Sequence, residues 1–166
     1  MMTGFQFKAA LAVSRLKANE LAKLIGLHQA TILRYARTSN FEYLNCHSEN
    51  SFTLELFFKN RGIIFLSDNS IKLSESHLIK NYDGITRFHL VVARIATGLS
   101  QNEFSKHIKI SYGSLSILER LENYEFITNR KINITSLKTF FSHLGILLND
   151  NFTVTLKKDP TIFFKR

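Results

Sequence analysis

The sequence predicts a mainly α-helical fold that occurs twice in one chain, each copy being followed by a small β-hairpin. The first observation is a self-alignment without gaps at an offset of 83 residues, which superimposes residues 5–73 on residues 88–156. The second is that both segments show the same order of helical and then strand-like apolar patterns. With 45% apolar residues in a chain of 166, the composition is sufficient for two small cores. We therefore expect domains at 1–74 and 85–158, a polar linker at 75–84 and a tail at 159–166.

The first helix of each copy is predicted from one buried face. Thr3 and Thr86 are suited to cap the starts of the two helices. Gly98, in a left-handed conformation, is suited to end the helix of the second copy. Apolar residues recur in both copies at i, i+4, i+7 and i+11, as Phe5, Ala9, Ala12 and Leu16 and as Phe88, Val92, Ile95 and Leu99.

A second, short helix follows in each copy. In copy two, Ser100 and Glu103 have the spacing of a capping box, in which a hydroxyl and a carboxylate bind free amides at a helix start. The counterpart at 18–24 has Lys17 at the cap position, so we expect its start to be weaker by roughly 1 kcal/mol.

A tight turn then leads into a third helix, predicted at 29–37 in copy one. Gly26 supplies the positive φ that the turn requires, whereas copy two has Lys109 there, at a cost on the order of 1 to 2 kcal/mol. Ile32 and Tyr35 match Leu115 and Leu118, which gives the third helix an inward stripe and leaves its other positions free to face outward.

A fourth helix and a hairpin complete each copy. We expect the fourth helices at 53–60 and 136–143, closed by Gly62 and Gly145. Because the strand at 63–66 is apolar on both faces, we expect the hairpins to pair with each other or across a dimer. The predicted strands are 63–66 and 71–73, joined by a turn at 67–70, and then 146–148 and 152–156.

The helix, turn and helix at the centre of each copy also carry specific residues. In copy one these are Ala10, residues 20–27 and Thr31-Ile32, and in copy two Ala93-Arg94, residues 99–105, Leu115 and Leu118-Glu119-Arg120. This pattern resembles the lambda-repressor and Cro-like helix-turn-helix of the XRE family of transcription regulators. The resemblance covers about 5–58 and 88–141. It implies two tandem repressor-like helix-turn-helix domains, with the two hairpins lying outside the family's minimal unit.

One pair of positions supports this resemblance physically. Family members often link an Arg of the first helix to a Glu that ends the third, and copy two has Arg94 and Glu119 at those places. Copy one has Leu11 and Ala36 instead, so both charges are absent together. That is expected if the two positions touch, since a lone, partly buried charge is costly. The other reading is a coincidence between two variable positions.

By the same resemblance, the third helix enters the major groove of double-stranded DNA. Gln29 is suited to pair with adenine, Arg34 to reach guanine or a phosphate, and Ala30 and Leu33 to contact thymine methyls. Gln101 matches a phosphate-contacting position of the family, a role that passes to the backbone amide of Ala18 in copy one. The implied groove residues are His28, Gln29, Ala30, Thr31, Leu33 and Arg34 in copy one, and Ser111, Tyr112, Gly113, Ser114, Ser116 and Ile117 in copy two.

Charge agrees with a polyanionic partner. The chain has 22 Lys and Arg against 13 Asp and Glu, a net charge of +9. The first helix-turn-helix segment carries a predicted basic face made of Lys8, Arg15, Lys17, Lys23, Arg34 and Arg37, with Glu20 as the one acid, and the second carries Arg87, Arg94, Lys106, Lys109 and Arg120 against Glu103 and Glu119. Copy one is therefore expected to contribute more of the base readout, and copy two more of the positioning.

Other classes of function find less support in the sequence. It has no glycine-rich phosphate loop, nucleophile elbow or metal-ligand cluster, so we expect neither an enzyme nor a cofactor or metal. The single cysteine, Cys46, and a start without a signal-peptide core indicate a reducing cytoplasm, and no apolar run is long enough for a membrane. The family resemblance implies a bacterial-type cytoplasm and an association with the nucleoid. No small-molecule ligand is evident. The alternative is a protein-interaction module, such as an antitoxin or adaptor, with a degenerate second helix-turn-helix.

Oligomeric state is left open by the sequence. The strand at 63–66 and the tail residues Ile162, Phe163 and Phe164 are apolar and need partners, which favours a homodimer. The competing interpretation is that both segments cover the chain's own cores.

Overall fold

The computed structural model describes residues 1–66, 69–74, 83–149 and 152–164. Within these ranges it contains eight α-helices, a 3₁₀ turn and one four-stranded antiparallel sheet, so the protein is a mixed α/β molecule that is 51% helical. Most of the predicted linker, at 75–82, lies outside the described residues, as do the hairpin-turn residues 67–68 and 150–151 and the chain end at 165–166.

The order of elements is the same in both halves of the chain. Four helices are followed by two strands, and then the series repeats. The first half comprises α1 (Gly4–Val13), α2 (Ala18–Ile25), α3 (Gln29–Ala36), α4 (Ser48–Lys59), β1 (Ile63–Leu66) and β2 (Ser70–Leu73). The second half comprises α5 (Arg87–Thr97), α6 (Gln101–His107), α7 (Tyr112–Leu118), α8 (Ile134–His143), β3 (Ile146–Asn149) and β4 (Thr153–Leu156).

Backbone conformation repeats at the same offset as the sequence. Every residue with positive φ in the described part of the chain has a partner with positive φ 83 positions away. Such a conformation is costly for residues other than glycine, so its recurrence reflects a common chain path rather than a common residue type. The pairs are Arg15 and Gly98, Gly26 and Lys109, Gly62 and Gly145, and Asn69 and Phe152.

The two hairpins form one sheet, in the order β1-β2-β4-β3. At its centre Ile71 of β2 pairs with Val154 of β4, and these two residues are equivalent in the repeat. The flanking pairs join Ser70 to Thr155 and Lys72 to Thr153. Because this register is symmetric, an approximate two-fold axis that relates the halves passes through the Ile71–Val154 pair. The prediction that the hairpins pair with each other is therefore confirmed.

Helix α1 is buried on almost every side. The sequence predicted a single buried face, but Phe7, Ala10 and Leu11, which lie off that face, are also buried. The reason is that α1 packs against α5 as well as against β2 and α3. The cores of the two halves are continuous, since one cluster of buried apolar residues runs through both.

Polar side chains fasten the two halves to each other. Arg87, at the start of α5, donates to the carbonyl oxygens of Ala12 (3.3 Å) and Val13 (3.2 Å) at the end of α1, so the two helices run antiparallel. At the other end of the pair, the amide of Asn40 donates to the carbonyl of Ala96 near the end of α5, at 2.9 Å. Both contacts bind carbonyl groups that a helix terminus leaves without an intrahelical partner.

The fourth helices begin earlier than the sequence predicted. Helix α4 starts at Ser48 rather than residue 53, and α8 at Ile134 rather than residue 136. The buried side of α4 begins with Ser51, and a search for apolar residues at helical spacing misses this position because serine is polar. Its hydroxyl donates to Glu55 at 3.2 Å within the same helix. The added turns therefore form without an apolar signal.

The tail returns to the body of the protein. Residues Pro160–Phe163 form a 3₁₀ turn that packs against α5, and the ring of Phe164 lies 4.9 Å from that of His107. Ile162 and Phe163 stay exposed. The tail thus covers part of the chain's own core and leaves two apolar side chains in solvent. Over the residues described, no helix combines the length and apolarity that a membrane crossing requires.

Candidate nucleic-acid interface

Helices α2 and α3 are joined by a tight reversal. Helix α2 has no side-chain cap, because Lys17 occupies the cap position; the carboxylate of Glu20 accepts from the Lys17 amide at 2.7 Å instead. The helix ends at Gly26, whose φ of +69° turns the chain, and α3 begins two residues after Leu27. A Cβ at Gly26 would meet open space, so the turn needs this glycine for its conformation alone.

Helix α3 has a buried face and an exposed face. Ile32 and Tyr35 are 0% and 1% exposed, and the Tyr35 ring packs edge-on against Phe7 at 5.9 Å. These contacts fix the rotation of the helix about its axis. The predicted residues His28, Gln29, Ala30, Leu33 and Arg34 are all exposed and Thr31 is half-buried, so the structure brings all six to one accessible surface.

Helix α7 has the same arrangement with different chemistry. It is capped by Ser111, whose hydroxyl accepts from the Ser114 amide at 3.0 Å, and it buries Leu115 and Leu118. Of the predicted residues, Ser111, Tyr112 and Gly113 are exposed with Ile117, whereas Ser114 and Ser116 are half-buried. The exposed face of α7 therefore carries hydroxyls and apolar groups, and no cation.

The turn before α7 contains the predicted conformational strain. Lys109 has a φ of +60°, close to the +69° of its counterpart Gly26. The prediction of a left-handed lysine is confirmed. Because a Cβ in this conformation approaches a carbonyl oxygen, the residue weakens the turn.

A partly buried ion pair fixes the end of α7. Arg94 of α5 donates to both carboxylate oxygens of Glu119, at 2.5 and 3.0 Å, and the two side chains are 13% and 9% exposed. This bidentate pair is the predicted contact. The amide of Gln101 donates to the same carboxylate at 2.7 Å, so the side chain expected to bind a phosphate is engaged within the protein. The counterparts Leu11 and Ala36 are buried and half-buried apolar residues.

The predicted basic face is smaller in the structure. In copy one, Lys17, Lys23, Arg34 and Arg37 are exposed, but Lys8 is half-buried and burial lowers its pKa. Arg15 points to the other half of the molecule, where it donates to the carbonyls of Arg120 (2.9 Å) and Leu121, and its guanidinium lies 3.5 Å from Glu122. In copy two, Lys106, Lys109 and Arg120 are exposed, whereas Arg94 binds Glu119 and Arg87 is buried.

The sequence placed Arg87 among the basic residues on the surface of copy two, and this was wrong. The side chain is 3% exposed, and its Nε donates to the carbonyl of Glu119 at 2.7 Å. Burial is the main cause that lowers its pKa to about 10, and the charge of Arg15 adds to the effect. A signal was present in the repeat, since the counterpart of Arg87 is Gly4, a position with no room for a side chain.

The candidate interface therefore consists of two exposed helix faces, α3 and α7, that differ in charge. Lys17 and Arg37 stay accessible beside α3. Compared with protein-family models, with curated proteins and with solved structures, the chain matches none of them.

Proposed function

We propose that the protein is a sequence-specific regulator that binds double-stranded DNA, with tandem XRE-like helix-turn-helix units whose third helices are α3 and α7. The observation that carries the proposal is the exposed face of α3. Gln29 and Arg34 project from a helix whose other side is fastened by Ile32 and Tyr35. Amide and guanidinium groups are suited to read adenine and guanine edges in a major groove, which is wide enough to admit one helix.

The two-fold relation between the halves supports a site with two parts. In proteins of this kind, two recognition helices lie about one helical turn of DNA apart, roughly 34 Å. Because the faces of α3 and α7 differ in sequence, the two half-sites differ as well. We infer an asymmetric operator in which copy one supplies most of the base readout and copy two mainly positions the protein.

Charge around α3 supports the larger role of copy one. Lys17, at the start of α2, and Arg37, at the end of α3, are both exposed and are suited to bind phosphates. The α7 surface offers Ser111 and Tyr112 hydroxyls, and its Glu119 is neutralised by Arg94.

Selection of bound DNA from a random pool tests the proposal. Wild type should yield a consensus, and the Gln29→Ala and Arg34→Ala variants should each relax one position, at about 1 to 3 kcal/mol of discrimination. The matched controls are the equivalent positions of α7, as Tyr112→Ala and Ile117→Ala, which should change base preference less. For about six phosphate contacts, affinity should fall roughly 10³-fold between 50 and 200 mM salt. The absence of any consensus would refute the proposal.

The second candidate function is a protein-interaction module, such as an antitoxin or adaptor, in which copy two no longer reads DNA. It is favoured by Tyr112 and Ile117, which are 53% and 64% exposed on the face of α7. Exposed apolar side chains on such a face suit a protein partner better than a phosphate backbone. A mobility shift with random DNA distinguishes the two: no binding at any salt concentration favours the module.

A further inference from the structure

Helix α4 has an apolar stripe that faces solvent. Its inward side buries Leu54 and Phe58, while Phe52 and Leu56 on the opposite side are 67% and 46% exposed. Phe52 and Leu56 are one helical turn apart, so their side chains lie next to each other. A large aromatic and a leucine exposed together on one helix mark a surface suited to a partner.

Charged residues bound this stripe at both ends. Glu49 lies three residues before Phe52, and Lys59 lies three residues after Leu56, both exposed. The four positions follow the i, i+3, i+7, i+10 spacing of one helix side. The stripe therefore consists of an acidic residue, two apolar residues and a basic residue. The sequence spacing between successive members is the same when it is counted from either end.

Such a pattern is self-complementary. When two copies of α4 lie antiparallel about a two-fold axis between Phe52 and Leu56, each Phe52 faces the Leu56 of the other chain. Glu49 of each chain then faces Lys59 of the other chain, which gives two charge pairs. A two-fold interface requires one patch to fit itself, and opposite charges at its two ends also fix the antiparallel direction.

The second half of the chain supplies an internal comparison. In α8 the positions equivalent to Phe52 and Leu56 are Thr135 and Thr139, both exposed. The Thr139 hydroxyl donates to the Thr135 carbonyl at 3.0 Å, so its hydrogen bond is made within the helix. The same fold therefore presents a polar surface in copy two and an apolar one in copy one, which shows that the stripe is not a requirement of the fold.

Two further apolar side chains near the start of the chain are exposed to solvent. The terminal ammonium of Met1 lies 3.7 Å from the Glu55 carboxylate of α4, which brings the 86% exposed Met1 side chain beside the stripe. Tyr43, which pairs with Thr3 near the start of the chain, is 61% exposed.

We propose that the protein forms a homodimer through antiparallel packing of α4 against α4 of a second copy. The contact uses one helix from each chain, so we expect a weak dimer with a dissociation constant on the order of 10 to 100 µM. The proposal does not depend on the proposed function. If that function also holds, the dimer carries four third helices and spans a longer operator than one chain does.

Sedimentation equilibrium on the full chain, without DNA, tests the proposal. Leu56→Asp should abolish the dimer, whereas the matched variant Thr139→Asp on α8 should leave it unchanged. Glu49→Lys and Lys59→Glu should each raise the dissociation constant about tenfold or more, because each turns two attractive pairs into repulsive ones. The double variant, with both charges exchanged, should restore the wild-type value.

Restoration by the double variant distinguishes a contact between chains from a general effect of charge on folding. Circular dichroism of each variant should match wild type, since all four side chains are exposed. Three results would each overturn the proposal: a wild-type monomer at about 0.5 mM, a dimer that survives Leu56→Asp, or a double variant no better than the single ones.

Discussion

Replacing His89 with glutamine tests how the protein holds a titratable ring in its core. His89 is 6% exposed and stacks on Phe152 at 5.4 Å. Its Nδ1 accepts from the Thr86 amide at 3.2 Å, so Nε2 carries the proton, and Nε2 is buried without a partner among the described residues. Burial, with a smaller contribution from the charge of Lys138, lowers the pKa of His89 from 6.5 to about 4.

This shift makes stability depend on pH in a defined direction. Between about pH 4 and 6.5 the unfolded chain binds the proton and the folded protein does not, so stability falls as the pH falls through this window. The total loss is about 3 kcal/mol, and about 2 kcal/mol of it is already present at pH 5. Above pH 6.5, the pKa of His89 in the unfolded chain, this residue makes almost no contribution to the pH dependence of stability.

The first copy of the repeat shows which residue can replace His89. The counterpart of His89 is Gln6, whose Oε1 accepts from the Thr3 amide at 3.0 Å and whose Nε2 donates to the carbonyls of Leu66 and Ser70, both at 2.8 Å. Glutamine is therefore compatible with this site and does not titrate. Urea unfolding of wild type and His89→Gln at pH 7.5 and pH 5 should show the variant gaining about 2 kcal/mol relative to wild type at the lower pH. An equal difference at both pH values would refute the reasoning.

Three further predictions concern urea unfolding at neutral pH. Arg94→Leu should cost about 3 kcal/mol because it removes the guanidinium that binds both oxygens of the partly buried Glu119 carboxylate, whereas Arg94→Leu with Glu119→Ala, which copies the first half, should recover most of the loss; equal costs would contradict this. Gly4→Ala should cost about 3 kcal/mol, because its Cβ would lie 2.3 Å from a backbone oxygen, while Gly113→Ala, with its nearest neighbour at 4.0 Å, should be neutral or stabilising. Lys109→Gly should raise stability by about 1 kcal/mol through relief of the left-handed lysine, and a loss of stability would count against that strain.

The sequence predicted the local elements well. A helical period predicts the start of α3 at Gln29 and the buried pair Ile32 and Tyr35, and a glycine predicts the turn at Gly26. Both signals come from residues that are close together in the sequence. The contact between Arg94 and Glu119 was expected from the family resemblance, and the joint absence of both charges in the first copy supported it.

What the sequence did not predict depends on contacts between the halves. Nothing in the pattern of α1 shows that α5 covers its second side, and nothing near Arg15 shows that its partners lie more than 100 residues away at Arg120 and Leu121. Arginine on a helix is most often solvated, so Arg87 was assigned to the surface. Periodicity along the chain carries no information about where the second copy of a fold sits against the first.

The approximate two-fold axis between Ile71 and Val154 relates two halves of one polypeptide, so each side of the contact between the halves can change by itself. In a homodimer any substitution appears on both sides of the axis at once, so an arginine gained at one helix start would also be forced on the other. Here the gene encodes each side separately. The second half can therefore have an arginine, Arg87, at the position where the first half has room only for Gly4. The hydrogen bonds from Arg87 to α1 hold the halves together, and two identical subunits could not form them in this way.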